Sequence, residues 1–474
     1  MGMDYSTAVE WGISLLFSLP HLGGIALALY ALSRPQNPQA TLGWILGLLL
    51  LPLITIPLYL ALGVARIRRH TEDRLPPEER AQYLLPQALW QAEPSPLSNT
   101  LHRLTGYPAS SGNSVQLLQD GPDTYTQLLQ AIRNASHSIL LEFFIIRNDS
   151  VGHILRAALE ERARAGVEVC VIYDELGSHK LPAGYLRSLR KAGVRTASFN
   201  GRRFWLSSFI RLNFRNHRKL VLIDSEQAYL GSLNIGIEYM RIPHRPYWRD
   251  TFVRLGGPIV YQCLLSFAED WHRATGQSIR HLIPEKCKAK GNQLCQLIPS
   301  GPEDSPLNLW QLLLLETAAQ AKNRLWLASP YFVPTPGLMQ ALQAAALRGV
   351  DVRLILPRRG DNLMAHLAFR SYLPELLRSG IRVLAYTPGF LHEKILLADD
   401  VRCAIGTANL DERSLRLNFE LTLLMEERAA TAGVAAMLQQ DMAAAEELLP
   451  EFCVRSSGIS RLAANICRLF SPLL

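Results

Sequence analysis

Residues His217, Lys219 and Asp224 recur as His392, Lys394 and Asp399 with the same spacing, H-x-K-x4-D. Six residues separate each aspartate from a G-[ST]-x-N turn, Gly231 to Asn234 in the first copy and Gly406 to Asn409 in the second. A single match to so short a pattern is weak, but two copies with matching turns make chance unlikely. The repeat confines the chain to folds in which one local unit occurs twice. Within each unit, residues two apart on a strand share a face, so His217 projects with Lys219 and His392 with Lys394. An imidazole and an ammonium then address one anion. The glycine tolerates a bend, while Asn234, Asn409, Ser232 and Thr407 supply donors suited to phosphate.

The duplication extends beyond the motif. Gln116-Leu117-Leu118 with Gly121-Pro122-Asp123 matches Gln296-Leu297-Ile298 with Gly301-Pro302-Glu303. Gly166-Val167-Glu168-Val169 matches Gly349-Val350-Asp351-Val352, each joining a helical stretch to an apolar β-type run. Each half therefore reads strand, helix, strand, helix, motif hairpin. The expected architecture is α/β: two homologous domains, 115–290 and 291–474, each a mixed sheet flanked by helices, packed so that the histidines meet.

Apolarity concentrates at the N-terminus. Trp11 to Leu32 and Leu42 to Ala65 are uncharged runs long enough to cross a bilayer, which predicts a transmembrane helical hairpin within 1–70. A cleaved leader would need a basic start, and the first 33 residues hold no Lys or Arg. Arg66, Arg68 and Arg69 follow the second run against only Arg34 in the loop, which orients the remainder towards the cytoplasm. Residues 71–114 read as a linker, with Pro94 to Ser114 rich in Ser, Pro and Gly. Seven cysteines without C-x-x-C fit a reducing compartment and give no case for structural zinc.

The net charge of +8 suits an anionic partner, either phospholipid or nucleic acid. The distribution favours lipid: Arg202 to Arg215 mixes bulky apolar and cationic side chains, as a segment at a headgroup boundary would. The C-terminal stretch, with Ile459, Leu462, Ile466, Leu469, Phe470 and Leu473 against Arg461 and Arg468, is also amphipathic. It would dock on a membrane or cap the second domain.

These motifs resemble the phospholipase D superfamily, whose members pair two such motifs in one active site. Within it the chain is most similar to the bacterial cardiolipin synthases, on four features: the apolar N-terminal runs with W-I-L-G-L-L-L-L-P, E-F-F-I-I-R-N-D at Glu142 to Asp149, Y-W-R-D at Tyr247 to Asp250, and the terminus R-L-F-S-P-L-L. The resemblance covers essentially the whole chain. It implies a membrane-bound phosphatidyl transferase at the bacterial cytoplasmic (inner) membrane, with phosphatidylglycerol and other anionic phospholipids as partners and cardiolipin and glycerol as products. Phosphatidylethanolamine is a further possible donor. The competing function is phosphodiester hydrolysis, of lipid or, less in keeping with the apolar runs, of nucleic acid, which is not an expected partner.

One neutral imidazole would attack phosphorus while the other donates a proton to the leaving alkoxide, since an ordinary imidazole sits on both sides of its titration near neutral pH. The resemblance favours His217 as nucleophile. Lys219, Lys394, Asn234 and Asn409 would neutralise the phosphoryl oxygens in place of a metal, so no metal and no cofactor is expected. Each histidine needs a carboxylate to hold its tautomer. Asp250 and Glu420 open apolar runs at equivalent places after their motifs, and the resemblance points to the same pair. Asp224 and Asp399 complete the catalytic motif but fall at the hairpin turn, where they read as structural. Glu142 aligns with Ser329, which argues against a symmetric duty there. The role of Glu238 and the oligomeric state stay open.

Overall fold

The structure, a computed structural model, describes residues 5–33, 38–63, 75–83, 89–90, 93–199, 214–244, 247–284, 287–302, 308–454 and 458–473. The basic flank Arg66, Arg68 and Arg69, the loop residue Arg34 and positions 202–213 of the aromatic, cationic stretch lie outside the described residues. His70–Gly201 and Phe214–Leu474 form one compact unit, and the N-terminal helices belong to another.

In the N-terminal unit α1 (Tyr5–Leu32) is followed by α2 (Pro38–Leu50) and α3 (Pro52–Leu58). Gly24 lets α1 and α2 touch, since a Cβ there would lie 2.2 Å from the Leu48 carbonyl oxygen. Ala28, Ala31, Leu48 and Tyr59 form a small core, with the Trp44 and Tyr59 rings edge to face at 5.3 Å. The second apolar run is not one helix. Leu51 leaves helical geometry at φ −137°, and Pro52, which cannot donate a main-chain hydrogen bond, starts a new segment. Among the described residues no helix is long and apolar enough to cross a membrane, so the expected pair of full spans is not seen as such.

The stretch read as a linker carries structure. Ser95 caps helix α4 (Pro96–Thr105), accepting from the Ser98 amide, and the buried Leu97 and Leu101 join the core of the second half.

The first half then runs β1 (Ser110–Gln119), α5 (Asp120–Asn134), β2 (Ser138–Phe143), α6 (Ser150–Arg164), β3 (Glu168–Asp174), α7 (Ala183–Lys191), β4 (Arg195–Phe199), the hairpin β5 (Lys219–Ile223) and β6 (Gln227–Gly231), β7 (Thr251–Gly256) and α8 (Ile259–Thr275). The second half repeats it: β8 (Gln293–Ser300), α9 (Leu309–Gln320), β9 (Arg324–Ala328), α10 (Pro336–Leu347), β10 (Asp351–Pro357), α11 (Leu363–Arg378), β11 (Arg382–Tyr386), the hairpin β12 (Ile395–Ala398) and β13 (Arg402–Gly406), α12 (Glu412–Arg416), β14 (Asn418–Met425) and α13 (Arg428–Ala443). Strand β15 (Ala445–Glu447) and helix α14 (Gly458–Leu469) complete the chain. Before its hairpin each half holds four strands and three helices, two strands and one helix more than its sequence pattern predicts.

All these strands join one sheet in the order β15-β11-β10-β9-β12-β13-β14-β8-β1-β7-β6-β5-β2-β3-β4. Read outward from the β8–β1 seam, the two halves have the same order. The seam is antiparallel, with Ser110 opposite Cys295 and Asn113 opposite Gln293. In each half three strands are parallel and the motif hairpin lies antiparallel to the innermost of them. Because helices cover both faces, β2 is buried along its whole length, and its S-I-L-L-E-F shows no polar alternation. One core layer spans both halves, with α8 (Leu264, Phe267, Trp271) and α13 (Val434, Met437, Leu438) on the same face. The opposite face has a separate core for each half. The shared layer fixes the two motif hairpins against each other.

Candidate active site

Each histidine is preceded by a two-residue strand that pairs across the seam. Arg215–Asn216 runs parallel to Asn418–Phe419, and Phe390–Leu391 parallel to Trp248–Arg249. The main-chain amide of His217 donates to the Phe419 carbonyl at 2.9 Å and that of His392 to the Arg249 carbonyl at 2.8 Å. The motif of one half is thereby hydrogen-bonded to the residue just before the other half's carboxylate, Phe419 before Glu420 and Arg249 before Asp250.

This pairing crosses the orienting carboxylates. His217 Nδ1 lies 2.9 Å from Glu420 Oε2, and His392 Nδ1 lies 2.7 Å from Asp250 Oδ2. Each imidazole thus meets the carboxylate of the opposite half. With Nδ1–H given to a carboxylate, each Nε2 keeps its lone pair for chemistry. The carboxylates are themselves held. Thr407 Oγ1 donates to Glu420 at 2.6 Å, and Asn418 Nδ2 donates to it at 3.1 Å. Ser232 Oγ and the Thr251 amide donate to Asp250. The hydroxyls of Ser232 and Thr407, expected to bind phosphate, instead point at these carboxylates. Burial alone would raise both acids, but the facing imidazoles, lysines and hydroxyls more than offset it and hold both below the usual carboxylate range.

Lys219 and Lys394 are buried beneath the histidines, and each Nζ donates to the carbonyl of its own motif histidine. Burial pushes Lys219 well down and Lys394 down to about 8, against the pull of Asp250 and Glu420. Burial also lowers His217 to about 4 and His392 to about 3, aided by the lysines and opposed by the carboxylates. Both imidazoles are therefore neutral at pH 7. This differs from the expected split into one base and one acid, because the sequence does not reveal how fully both rings are buried. A phosphodiester anion between them would raise the affinity of both for a proton.

Asp224 and Asp399 lie at the far ends of the hairpins. Asp224 accepts from the amides of Ser136, His137 and Ser138, and Asp399 from those of Lys322, Asn323 and Arg324. Both sit in the left-handed region, at φ 53° and 51°. Three amide bonds to one carboxylate offset that strain and pin each hairpin to the start of a parallel strand. Asn234 is also committed: its Nδ2 donates to Tyr239 Oη at 2.9 Å and its Oδ1 accepts from Ile145 N. Asn409 is hydrogen-bonded through its side chain to Asp411, and its buried Oδ1 has no hydrogen-bond partner among the described residues.

Several neighbours were missed by the sequence reading. The position between His and Lys points to the other side of its strand and is charged in both copies. Arg218 pairs there with Asp270, while Glu393 meets Arg249, which also binds Asp441. A charged residue out of phase in an apolar strand was the available signal. Glu142 shares the Arg218 side, accepting from Asn216, and burial beside Asp270 raises it well above the usual range. Glu238 pairs with Arg147 at 3.1 Å. Trp248 lies 4.9 Å from the His392 ring, centre to centre, and Phe144 5.0 Å from that of His217. Where the second motif has Phe390 before its histidine, the first has Arg215, brought down to about 10 by burial and by the nearby Arg413.

Two His/Lys sets with buried, crossed carboxylates have the form of a phosphodiester-processing site of the phospholipase D type. The family described as "Cardiolipin synthase, PLD-like domain" matches residues 128–244 and 314–442, and that described as "Phospholipase_D-nuclease N-terminal" matches 25–63. Cardiolipin synthase A of Pseudomonas putida (strain W619) is 38% identical over 484 residues, covering 100% of both chains. Cardiolipin synthase A of Pseudomonas syringae pv. syringae (strain B728a) is also 38% identical over 484 residues, again covering 100% of both. A solved structure, phosphatidylserine synthase of Haemophilus influenzae Rd KW20, aligns with a TM-score of 0.58 at 15% identity, covering 80% of this chain and 100% of that one, and so shares its fold. The chain belongs to the cardiolipin synthase family of phospholipase D-like proteins.

Proposed function

We propose that this chain is a phosphatidyl transferase that makes cardiolipin and glycerol from two phosphatidylglycerol molecules. The observation that carries this reading is the pair of buried imidazoles, each with Nδ1 on a carboxylate from the opposite half, in a chain of this family. His217 Nε2 attacks the phosphorus of the first lipid. His392 Nε2, which takes up a proton from solvent as the anionic phosphodiester binds, gives that proton to the leaving glycerol oxygen, and a phosphatidyl-histidine remains. A headgroup hydroxyl of the second lipid then gives its proton to His392 Nε2 and bonds to phosphorus, and the P–N bond to His217 breaks. Lys219, Lys394 and Asn409 face the charge that collects on the non-bridging oxygens. The phosphoryl group keeps its transfer potential on the histidine, so no nucleotide is consumed. Burial of both rings disfavours water as acceptor.

The N-terminal helices are read as the membrane anchor, since Leu19, Leu22, Leu29 and Leu32 of α1 face outward. With Arg66, Arg68 and Arg69 following them, the catalytic unit lies on the cytoplasmic side of the inner membrane.

The test is product analysis after incubating the full chain in vesicles with labelled phosphatidylglycerol and a chelator. Cardiolipin and free glycerol are expected. Phosphatidic acid as the main product would make water the acceptor and sink the transferase reading. Cardiolipin only when phosphatidylethanolamine is added would change the donor.

A further inference from the structure

Helix α14 is amphipathic, but it is docked by the wrong face for a capping helix. Its small residues turn inward: Ala464 is buried and Cys467 half-buried against the core of the second half. A polar clasp holds it to α11, with Arg468 Nη1 2.8 Å from Glu375 Oε1 and its guanidinium 4.1 Å over the Tyr372 ring. Its large apolar side chains turn outward. Ile459 is 84% exposed, Leu462 61% and Leu469 78%, with Ile466 and the following Phe470 also exposed. At 100° per residue these positions fall on one stripe, opposite Ala464. Of the two roles the sequence left open for this segment, capping would have buried that stripe.

We propose that this stripe is a membrane-docking ridge that lies in the headgroup–acyl boundary of an anionic bilayer. Two observations favour lipid over protein as the occupant. The first is chemical: the ridge consists of protruding aliphatic and aromatic side chains flanked by the exposed Arg461, the pattern of a helix that lies in a bilayer surface rather than of a shaped socket. The second is its link to the site. The helix runs antiparallel to α11, since Arg468 reaches Glu375 while Ser471 Oγ meets Tyr372 Oη at 3.0 Å. It therefore points towards the start of α11, where Leu363 is 70% exposed and Asp361 lies within electrostatic reach of Lys394. The closing turn Ser471–Leu473 packs on α12, which follows directly after Asn409. A ridge anchored in lipid at one end is thus braced on the active-site turn at the other. The choice of lipid rests on the proposed function, whereas the exposed stripe does not.

The test uses the full chain in vesicles of phosphatidylcholine and phosphatidylglycerol whose acyl chains are brominated, in a background with its other reactive thiols replaced. A fluorophore is attached through Ile459→Cys, Leu469→Cys or, as a control on the isolated exposed apolar residue of α10, Leu347→Cys. Quenching at 459 and 469 but not at 347 is expected, and also in a His217→Ala chain that makes no product. No quenching, equal quenching at all three, or lipid-independent cross-linking of 469 between chains would overturn the proposal. Leu462→Asp with Leu469→Asp should lower turnover of vesicle lipid about ten-fold and leave short-chain monomeric lipid unaffected. Equal loss on both would also overturn it. A chain that docks yet forms no cardiolipin would break the functional reading alone.

Discussion

The two sides of the active site have the same backbone and different walls. Around His392 the wall is aromatic: Trp248, Phe390 and Tyr239 pack on or beside its ring. Around His217 it is cationic, with Arg413 near enough to Arg215 to add to the lowering that burial causes there, and one ring, Phe144. Behind the rings the charges are reversed, Arg218 against Asp270 on one side and Glu393 against Arg249 on the other. Symmetry of strand order therefore fixes where the two imidazoles stand, and asymmetry of neighbours lets them differ in duty.

The strongest way to break this comparison is to remove each ring. His217→Ala and His392→Ala should both lower turnover by on the order of 10⁴-fold or more. They should differ in a single-turnover experiment with labelled lipid: His392→Ala still forms a covalent adduct slowly and His217→Ala forms none. Adduct in His217→Ala alone would exchange the two roles. Next in size, Glu420→Gln and Asp250→Asn should each cost on the order of 10³–10⁴-fold in kcat, the scale seen when a histidine loses its tautomer-fixing carboxylate. Because the pairing crosses, Glu420→Gln should alter the His217 step and Asp250→Asn the His392 step. Adduct formation measured apart from turnover would separate them.

A smaller effect belongs to the hairpin aspartates. Asp224→Asn and Asp399→Asn should each lose about 1–3 kcal/mol of stability, from weakened bonds to three amides, with kcat kept in the folded fraction. Denaturant titration alongside turnover checks both, and a fully folded, inactive Asp224→Asn would make it a chemical residue. The last concerns pH. Burial lowers His217 from 6.5 to about 4 and His392 from 6.5 to about 3. Between those values the unfolded chain binds a proton that the native site refuses, so stability falls as pH drops below about 6.5. The His217 contribution to that fall stops near pH 4 and that of His392 near pH 3. Melting temperatures against pH for the wild type and for His217→Gln and His392→Gln should show each variant losing its share of the slope.

Much of this was legible because a duplication is a statement about distance. The matched H-x-K-x4-D copies and the parallel placing of Asp250 and Glu420 point to residues that the fold brings together, and the alternation rule pairs His with Lys in each copy. What the sequence hid was which half each carboxylate serves, since that depends on two-residue bridges such as Arg215–Asn216 with Asn418–Phe419. Ser232 and Thr407 were misjudged for a related reason: a hydroxyl near a phosphate site and one near a carboxylate look alike in a motif. The N-terminal runs were read by length and apolarity, whereas Leu51 and Pro52 divide the second.

The exchange of carboxylates between halves also times the chemistry. A nascent chain that has emerged as far as Gly256 holds His217, Lys219 and Asp250, yet Glu420, the acid that holds His217, has not been synthesised and Asp250 has no imidazole to hold. Activity switches on only once β14 has been made and paired, near the end of synthesis, so an incomplete copy released early would have no working phosphodiesterase to turn on the membrane beside it.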